Sequence, residues 1–161
     1  MSGLRRTVTF EVLGVAQQKG SMRAFMPKGA CYPVVTHDNR KPEWKTWVHL
    51  IAEGAQQASN GVLLDGPVTL DVAFFLPRPK SLPKRVVWQT KHPDLDKLVR
   101  TVNDALIGVL FHDDAQVVEI RASKAYATGN AAPRALITVR DVDPELLTTI
   151  TAPLFAEEIT T

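Results

Sequence analysis

Carboxylates gather in the second half of this chain of 161 residues, in a pattern suited to metal chemistry. Asp94 and Asp96 follow a proline, which disfavours helical geometry at the residue before it and so predicts a helix start here. Asp104 comes about two helical turns later on nearly the same side of that helix. Asp113 and Asp114 form a second pair ahead of an apolar run. Because Mg²⁺ prefers oxygen ligands and usually takes one or two carboxylates, the pattern predicts a divalent-metal site.

The chemistry that such a site supports is phosphodiester hydrolysis. Two magnesium ions about 4 Å apart can activate a water and stabilise the leaving oxygen. Aspartates crowded into one pocket repel one another, and a bound cation relieves that repulsion. The alternative is structural, because aspartates at helix starts commonly cap the helix and complement its dipole. For Asp94 and Asp96 taken alone, capping stays the commoner explanation, and only the further acids favour metal binding.

The charge of the chain is unevenly distributed. Residues 141–161 carry five acidic side chains and no Lys or Arg, which leaves 19 basic and 12 acidic residues elsewhere, a net charge near +7. Such a surplus favours a polyanionic partner such as nucleic acid, although loops of solvated charge are the ordinary alternative. The candidates for contact with DNA phosphates are Lys19, Arg23, Arg78, Lys80, Lys84, Arg85, Lys91, Lys97 and Lys124.

Hydrophobic periodicity predicts an α+β fold. The irregular order of strands and helices predicts a small mixed or antiparallel sheet with two main helices packed on it. The predicted elements are a strand over 6–14, a long and hairpin-like excursion over 15–40, a helix over 41–60, a strand over 68–76, an exposed basic loop over 77–92, a helix over 94–109, and strands over 117–126 and 134–142.

Length and cysteine content limit the class of protein. A chain of 161 residues with 45% hydrophobic residues fits one globular domain, predicted over residues 1–142, followed by an acidic tail over 143–161. The lone Cys31 forms no internal disulfide, and there is no cysteine cluster for zinc. No apolar run approaches the roughly 18 residues that a membrane helix needs. We therefore expect a cytoplasmic protein without a membrane partner.

Three short motifs together carry a resemblance to a known family. D-L-D at 94–96, N-D-A-L at 103–106 and D-D-A-Q-V-V at 113–118 resemble the RusA family of Holliday junction resolvases, whose members are often encoded by phages or prophages. The close match runs from residue 93 to about 124, with weaker similarity in the part before it. The combined spacing of D-x-D and D-D-A-Q is more specific than either motif alone.

The resemblance implies a homodimeric endonuclease that depends on Mg²⁺, with Mn²⁺ as a substitute, and that cuts four-way DNA junctions. Asp94, Asp96 and Asp114 fall on the family's metal-binding acids, and Asp104 and Asp113 fall on positions with a supporting role. Each active site also implies a matched site on a second chain, because resolution of a symmetric junction needs two incisions.

One catalytic position departs from the family. The family has a lysine four residues after the second acid of D-x-D, and this sequence has Arg100 at that position. Arginine keeps a positive charge for the phosphate but does not readily give up a proton. Lys97 and Lys124 are the alternatives for the lysine's role. This departure leaves two other functions open, a module that binds branched DNA without cutting it and a nuclease for flaps or forks.

Overall fold

The computed structural model describes residues 6–20, 22–37 and 41–142, with the backbone alone for residues 22, 23 and 35–37. The predicted acidic tail over 143–161 lies outside these residues, as does the side chain of Arg23. In chain order the elements are β1 (Thr7–Leu13), β2 (Met22–Phe25), β3 (Val34–His37), α1 (Pro42–Ser59), β4 (Val68–Leu76), α2 (Leu95–Leu106), a 3₁₀ turn (Asp114–Gln116), β5 (Val117–Tyr126) and β6 (Arg134–Asp141).

Four of the strands form one mixed sheet in the order β1-β6-β4-β5. The β1–β6 and β6–β4 pairs are antiparallel, whereas β4 and β5 run parallel. Alternate residues of β4 are fully buried, among them Leu70 and Phe74, because one face of the sheet is covered by the helices. We call this the helix-side face and the opposite one the open face. Strands β1 and β5 form the two edges of the sheet.

Two amphipathic helices pack on the sheet and on each other. In α1, Trp47, Ile51 and Ala55 are buried at intervals of four residues, and Gly54 lets Phe10 of β1 approach closely: an added Cβ would lie 3.0 Å from its ring. In α2 the buried stripe includes Leu98 and Val102. Both helices thereby present one apolar side to a single core.

The predicted α+β class, with two helices on a small mixed sheet, is confirmed. The second helix is shorter than predicted, because it ends at Leu106 and the chain turns back at Gly108, whose φ is 74°. There the Gly108 N–H donates to the Phe111 carbonyl at 2.7 Å. The excursion over 15–40 contains the β2–β3 hairpin. Among the described residues, no helix is long and apolar enough to cross a membrane.

Candidate active site

Asp94 opens α2, yet its carboxylate does not cap the helix. It occupies the N-cap position in extended geometry and makes no side-chain cap hydrogen bond. Its backbone N–H donates to Oε1 of Gln18 at 2.8 Å. Its carboxylate instead accepts from Nζ of Lys97 at 2.9 Å and lies 3.2 Å from Nδ1 of His92. The side chain of Asp94 therefore does not cap α2 by a hydrogen bond, and its carboxylate contacts charged side chains instead.

The charge on Asp94 is maintained by its neighbours. The hydrogen bond from Lys97 lowers the pKa of Asp94 below its ordinary value of 3.8, and the nearby charges of Lys97, His92 and Lys124 act in the same direction against partial desolvation. With a side chain 42% exposed, Asp94 is an anionic and accessible oxygen donor at neutral pH. A divalent cation at this carboxylate would take the place that the Lys97 ammonium holds here.

Asp96 and Arg100 lie one helical turn apart on α2 and are both exposed. Asp96 and Asp104 lie four residues before and after Arg100, a spacing at which ion pairs are common on a helix, yet neither pair forms. Asp104 instead bonds Lys19, with Nζ and Oδ2 separated by 2.5 Å. Within the described part of the chain, Asp96 and Arg100 have no hydrogen-bonded or ionic partner. Both side chains are free to meet a metal ion or a phosphate.

The D-D-A-Q motif folds into a turn in which Asp113, Ala115 and Gln116 make hydrogen bonds that stabilise the turn. The Asp113 carboxylate accepts from the Ala115 N–H at 2.8 Å, and Oε1 of Gln116 accepts from the N–H groups of His112 and Asp113. The Gln116 amide also donates to the carbonyls of Leu64 and Gly66 at 3.0 and 2.8 Å, which ties the turn to the segment that precedes β4.

Asp114 is the exception within this turn. Its side chain is exposed and has no bonded partner over residues 6–20, 22–37 and 41–142. Asp113 and Gln116 form a reciprocal capping box, so they hold the backbone while Asp114 is presented to solvent. The motif therefore holds one unpaired carboxylate, that of Asp114, on a backbone turn that Asp113 and Gln116 stabilise.

The free carboxylates lie at opposite ends of α2. Nζ of Lys124, near the end of β5, donates to the carbonyls of Lys91 and Pro93 at 2.7 Å, so the end of β5 lies beside the start of α2. The seven residues from Val117 to Lys124 span about 23 Å of strand. Asp114, ahead of Val117, is therefore about 20 Å from Asp94 within one chain.

Within one chain these carboxylates do not meet, for a simple geometric reason. A strand that returns alongside a helix brings its last residues, and not its first, to the helix start. Consistently, the described residues contain no group of three or more His, Cys, Asp or Glu that could hold a metal ion. Asp94 and Asp96 fit Mg²⁺ as donors, since one or two carboxylates with waters are its usual protein ligands. Asp114 does not join them within one chain.

Four of the predicted DNA-binding cations are used to hold the fold together. Lys19 bonds Asp104, Lys97 bonds Asp94, and Lys124 bonds two backbone carbonyls. The Arg78 guanidinium donates to the carbonyls of Val86 and Pro83 at 2.8 Å and lies 5.7 Å from the centre of the Tyr126 ring. Arg78 thus closes the basic loop on itself and fastens it to the sheet.

The remaining basic side chains of the loop are available to a ligand. They are exposed and, over the described ranges, without a bonded partner: Lys80, Lys84, Arg85 and Lys91. The loop ends at His92, directly before the acidic start of α2. A chain of phosphates lying along the loop would therefore lead to Asp94 and Asp96.

Sequence reasoning overlooked two residues. Trp88 is 64% exposed in the basic loop, and an aromatic side chain among cations is typical of a surface on which bases stack. Gln116 anchors the D-D-A-Q turn. The signals were present, since a lone Trp in a proline-rich basic stretch indicates exposure and D-x-x-Q has the spacing of a capping box.

An α+β domain that presents accessible carboxylates beside a basic loop has the features of a metal-dependent nuclease. The chain belongs to the RusA family: the family model described as "Endodeoxyribonuclease RusA" matches residues 18–140. It is also 30% identical over 126 residues to the uncharacterized protein YqaN of Bacillus subtilis (strain 168), covering 72% of this chain and 87% of that protein. The family resemblance of the motifs is thereby confirmed, and the family implies a Holliday junction endonuclease that is generally Mg²⁺-dependent.

Proposed function

We propose that this protein is a Mg²⁺-dependent endonuclease that resolves four-way DNA junctions in the cytoplasm by paired cleavage of two strands. The observation that carries the proposal is the state of Asp94 and Asp96: both are accessible, and neither is used to cap α2. They lie next to a loop whose exposed lysines and arginine suit a phosphate backbone, in a domain of the RusA family.

The proposed roles follow from these positions. Asp94 and Asp96 hold the metal, and Arg100, one turn further along α2, faces the scissile phosphate and offsets its charge. When bound, Mg²⁺ supplies an activated water and neutralises charge on the leaving oxygen. Lys97 keeps the Asp94 carboxylate anionic before the metal arrives, and Lys124 fixes the loop backbone at Lys91 and Pro93. Arg100 thus offsets the charge of the phosphate but does not transfer a proton. Water at this exposed site supplies and accepts the protons instead.

A homodimer is part of the proposal. A four-way junction presents two equivalent strands, and a two-fold dimer offers two matched sites for them. The position of Asp114 fits such a dimer if Asp114 is a metal ligand as the family resemblance implies, since this carboxylate lies about 20 Å from Asp94 in its own chain. We therefore place Asp114 of one chain in the metal site formed by Asp94 and Asp96 of the other.

The function is tested with a synthetic four-way junction labelled on each strand in turn. We expect paired, symmetric cuts in Mg²⁺ or Mn²⁺, no cuts in EDTA, and slower cutting of a flap and a three-way fork of the same sequence. Tight binding in EDTA without cutting in either metal would establish the binding module instead. A preference for the flap or the fork would establish the second kind of nuclease.

The basic loop should account for much of the affinity for DNA. Each lysine or arginine that contacts a phosphate adds about 0.9 to the slope of log affinity against log salt. We expect Lys84→Ala combined with Arg85→Ala to lower that slope by about 2, measured by fluorescence anisotropy with a junction in EDTA. Arg140→Ala is the matched control, because Arg140 is paired with Asp71 on the open face. An equal slope in the loop variant and the control contradicts contact through the loop.

A further inference from the structure

The β2–β3 hairpin is not part of the core. Its two strands form a separate two-stranded sheet, pack on each other and make few contacts with the other described helices and strands. No described residue between Ala16 and Trp47 belongs to the buried core. Because a two-stranded hairpin alone adds little stability, its side chains are available for contact with another molecule.

A tight turn closes the hairpin at its end. The Ala30 N–H donates to the Pro27 carbonyl at 3.0 Å, and Gly29 has a φ of 87°. A type II turn needs this conformation at its third residue, and glycine adopts it without strain. Lys28 occupies the second position of the turn and is exposed. The turn thus gives the residues on either side of it a defined position.

Large apolar side chains flank this turn and are left uncovered. Phe25 is 51% exposed and Tyr32 is 80% exposed, and Met26 and Val34 are exposed as well. Phe25 and Val34 are paired across the two strands, so their side chains lie on the same face of the hairpin. Neighbouring apolar side chains that are exposed in this way indicate a binding site.

The hairpin begins beside the candidate active site. Oε1 of Gln18 accepts from the Asp94 N–H at 2.8 Å, and the Lys19 N–H donates to the Lys97 carbonyl at 3.3 Å. Six residues lead from Lys19 to Phe25, so their Cα atoms are at most about 22 Å apart. Because DNA rises about 3.4 Å per base pair, the end of the hairpin lies within the length of about eight base pairs from the start of α2.

The composition of the hairpin favours DNA as the molecule that covers it. Residues 18–37 include three basic residues and no acidic one, and Lys28 at the turn suits a phosphate next to the exposed rings. Aromatic rings beside cations are the combination with which proteins bind unstacked bases. In a continuous duplex each base pair is covered by its neighbours, whereas base pairs at an open branch point expose one face.

We propose that the end of the hairpin, residues 25–34, binds the branch point of the DNA, where the rings of Phe25 and Tyr32 stack on exposed bases. That the ligand is branched DNA rests on the proposed function. Phosphates are the same in a junction and in a duplex, so the basic loop binds both. The hairpin distinguishes the two, because only the junction offers a base face to its rings.

Removal of the two rings tests the stacking. Phe25→Ala combined with Tyr32→Ala should weaken binding to a four-way junction in EDTA at least about tenfold and leave binding to a duplex of the same sequence unchanged, measured by fluorescence anisotropy. Leu13→Ala is the matched control, because Leu13 is 62% exposed on β1, and it should bind both DNAs as the unaltered chain does. An unchanged affinity for the junction, or an equal loss for junction and duplex, overturns the proposal.

A variant that keeps both rings separates stacking from damage to the hairpin. Phe25→Tyr combined with Tyr32→Phe retains two flat aromatic faces and exchanges only the hydroxyl. It should bind the junction within about twofold of the unaltered chain, because the ring faces make the contact. A loss as large as that of the double alanine variant contradicts stacking by the rings.

Photocrosslinking locates the contact on the DNA. A junction with 5-iodouracil at the branch point, irradiated with the protein in EDTA, should crosslink to the tryptic peptides 24–28 and 29–40, which contain Phe25 and Tyr32. The same base in the middle of an arm should not crosslink to these peptides. Crosslinks from the branch point that map only outside the two peptides overturn the placement of the hairpin.

These measurements need neither metal nor cleavage. A junction that crosslinks to the hairpin but is cut in neither Mg²⁺ nor Mn²⁺ contradicts the proposed function and leaves the stacking standing. Paired cleavage of the junction by a double alanine variant of unaltered junction affinity contradicts the stacking and leaves the function standing.

Discussion

Asp96→Asn should reduce the rate of junction cleavage in Mg²⁺ by at least about a hundredfold, which corresponds to about 3 kcal/mol of transition-state stabilisation. The amide keeps the shape of the side chain but loses the charge that holds the metal. Because Asp96 is exposed and has no bonded partner in the described part of the chain, the fold should not change. Single-turnover cleavage rates and the thermal unfolding midpoint of the same preparations measure the two effects separately.

Glu53→Gln is the control for the loss of one carboxylate. Glu53 is exposed on α1, where it accepts a hydrogen bond from Gln57 and takes no part in the candidate site. Its amide variant should cut at the unaltered rate. If Asp96→Asn also cuts at that rate, Asp96 is not a metal ligand, and the same holds if its loss of rate is matched by a loss of folded protein.

Local patterns in the sequence were sufficient for the elements of the fold. The alternation of apolar residues in β4 and the stripe of Leu98 and Val102 in α2 are properties of a few neighbouring residues, so they can be recognised without the structure. The turn at 113–116 is local as well, since the Asp113–Gln116 capping box closes over four residues. Such features were either predicted or signalled in the sequence.

Contacts between distant segments could not be predicted in the same way. Lys19 and Asp104 form an ion pair although they are 85 residues apart in the sequence. Arg78 bonds two carbonyls of the basic loop, whereas the sequence did not distinguish it from the other basic residues there. The direction in which β5 passes α2 decides where Asp114 lies, and this direction depends on the order of strands in the sheet. Sequence spacing left open whether Asp114 lies near Asp94, and the parallel pairing of β4 with β5 separates the two within one chain.

Mixing two inactive chains should restore activity if the metal site is shared between subunits. In a heterodimer of Asp96→Asn and Asp114→Asn chains, one site carries both substitutions. The other combines the intact Asp94 and Asp96 of one chain with the intact Asp114 of its partner. We expect such a heterodimer, isolated through two different affinity tags, to nick a junction at about half the unaltered rate per dimer, while both parent homodimers stay inactive.

A heterodimer of the unaltered chain with Asp96→Asn is the reference for the cleavage rate of a dimer with one intact site. It has one intact site whether the sites are shared between chains or built within one chain. If each site were built within a single chain, the Asp96→Asn/Asp114→Asn heterodimer would have two damaged sites and would stay as inactive as its parents. Nicking should also remain unpaired, since one intact site cuts one strand of the junction and leaves its symmetric counterpart whole. Cutting of one strand by two chains that are each inactive alone requires that Asp114 act on the site of the neighbouring chain, about 20 Å from the Asp94 of its own.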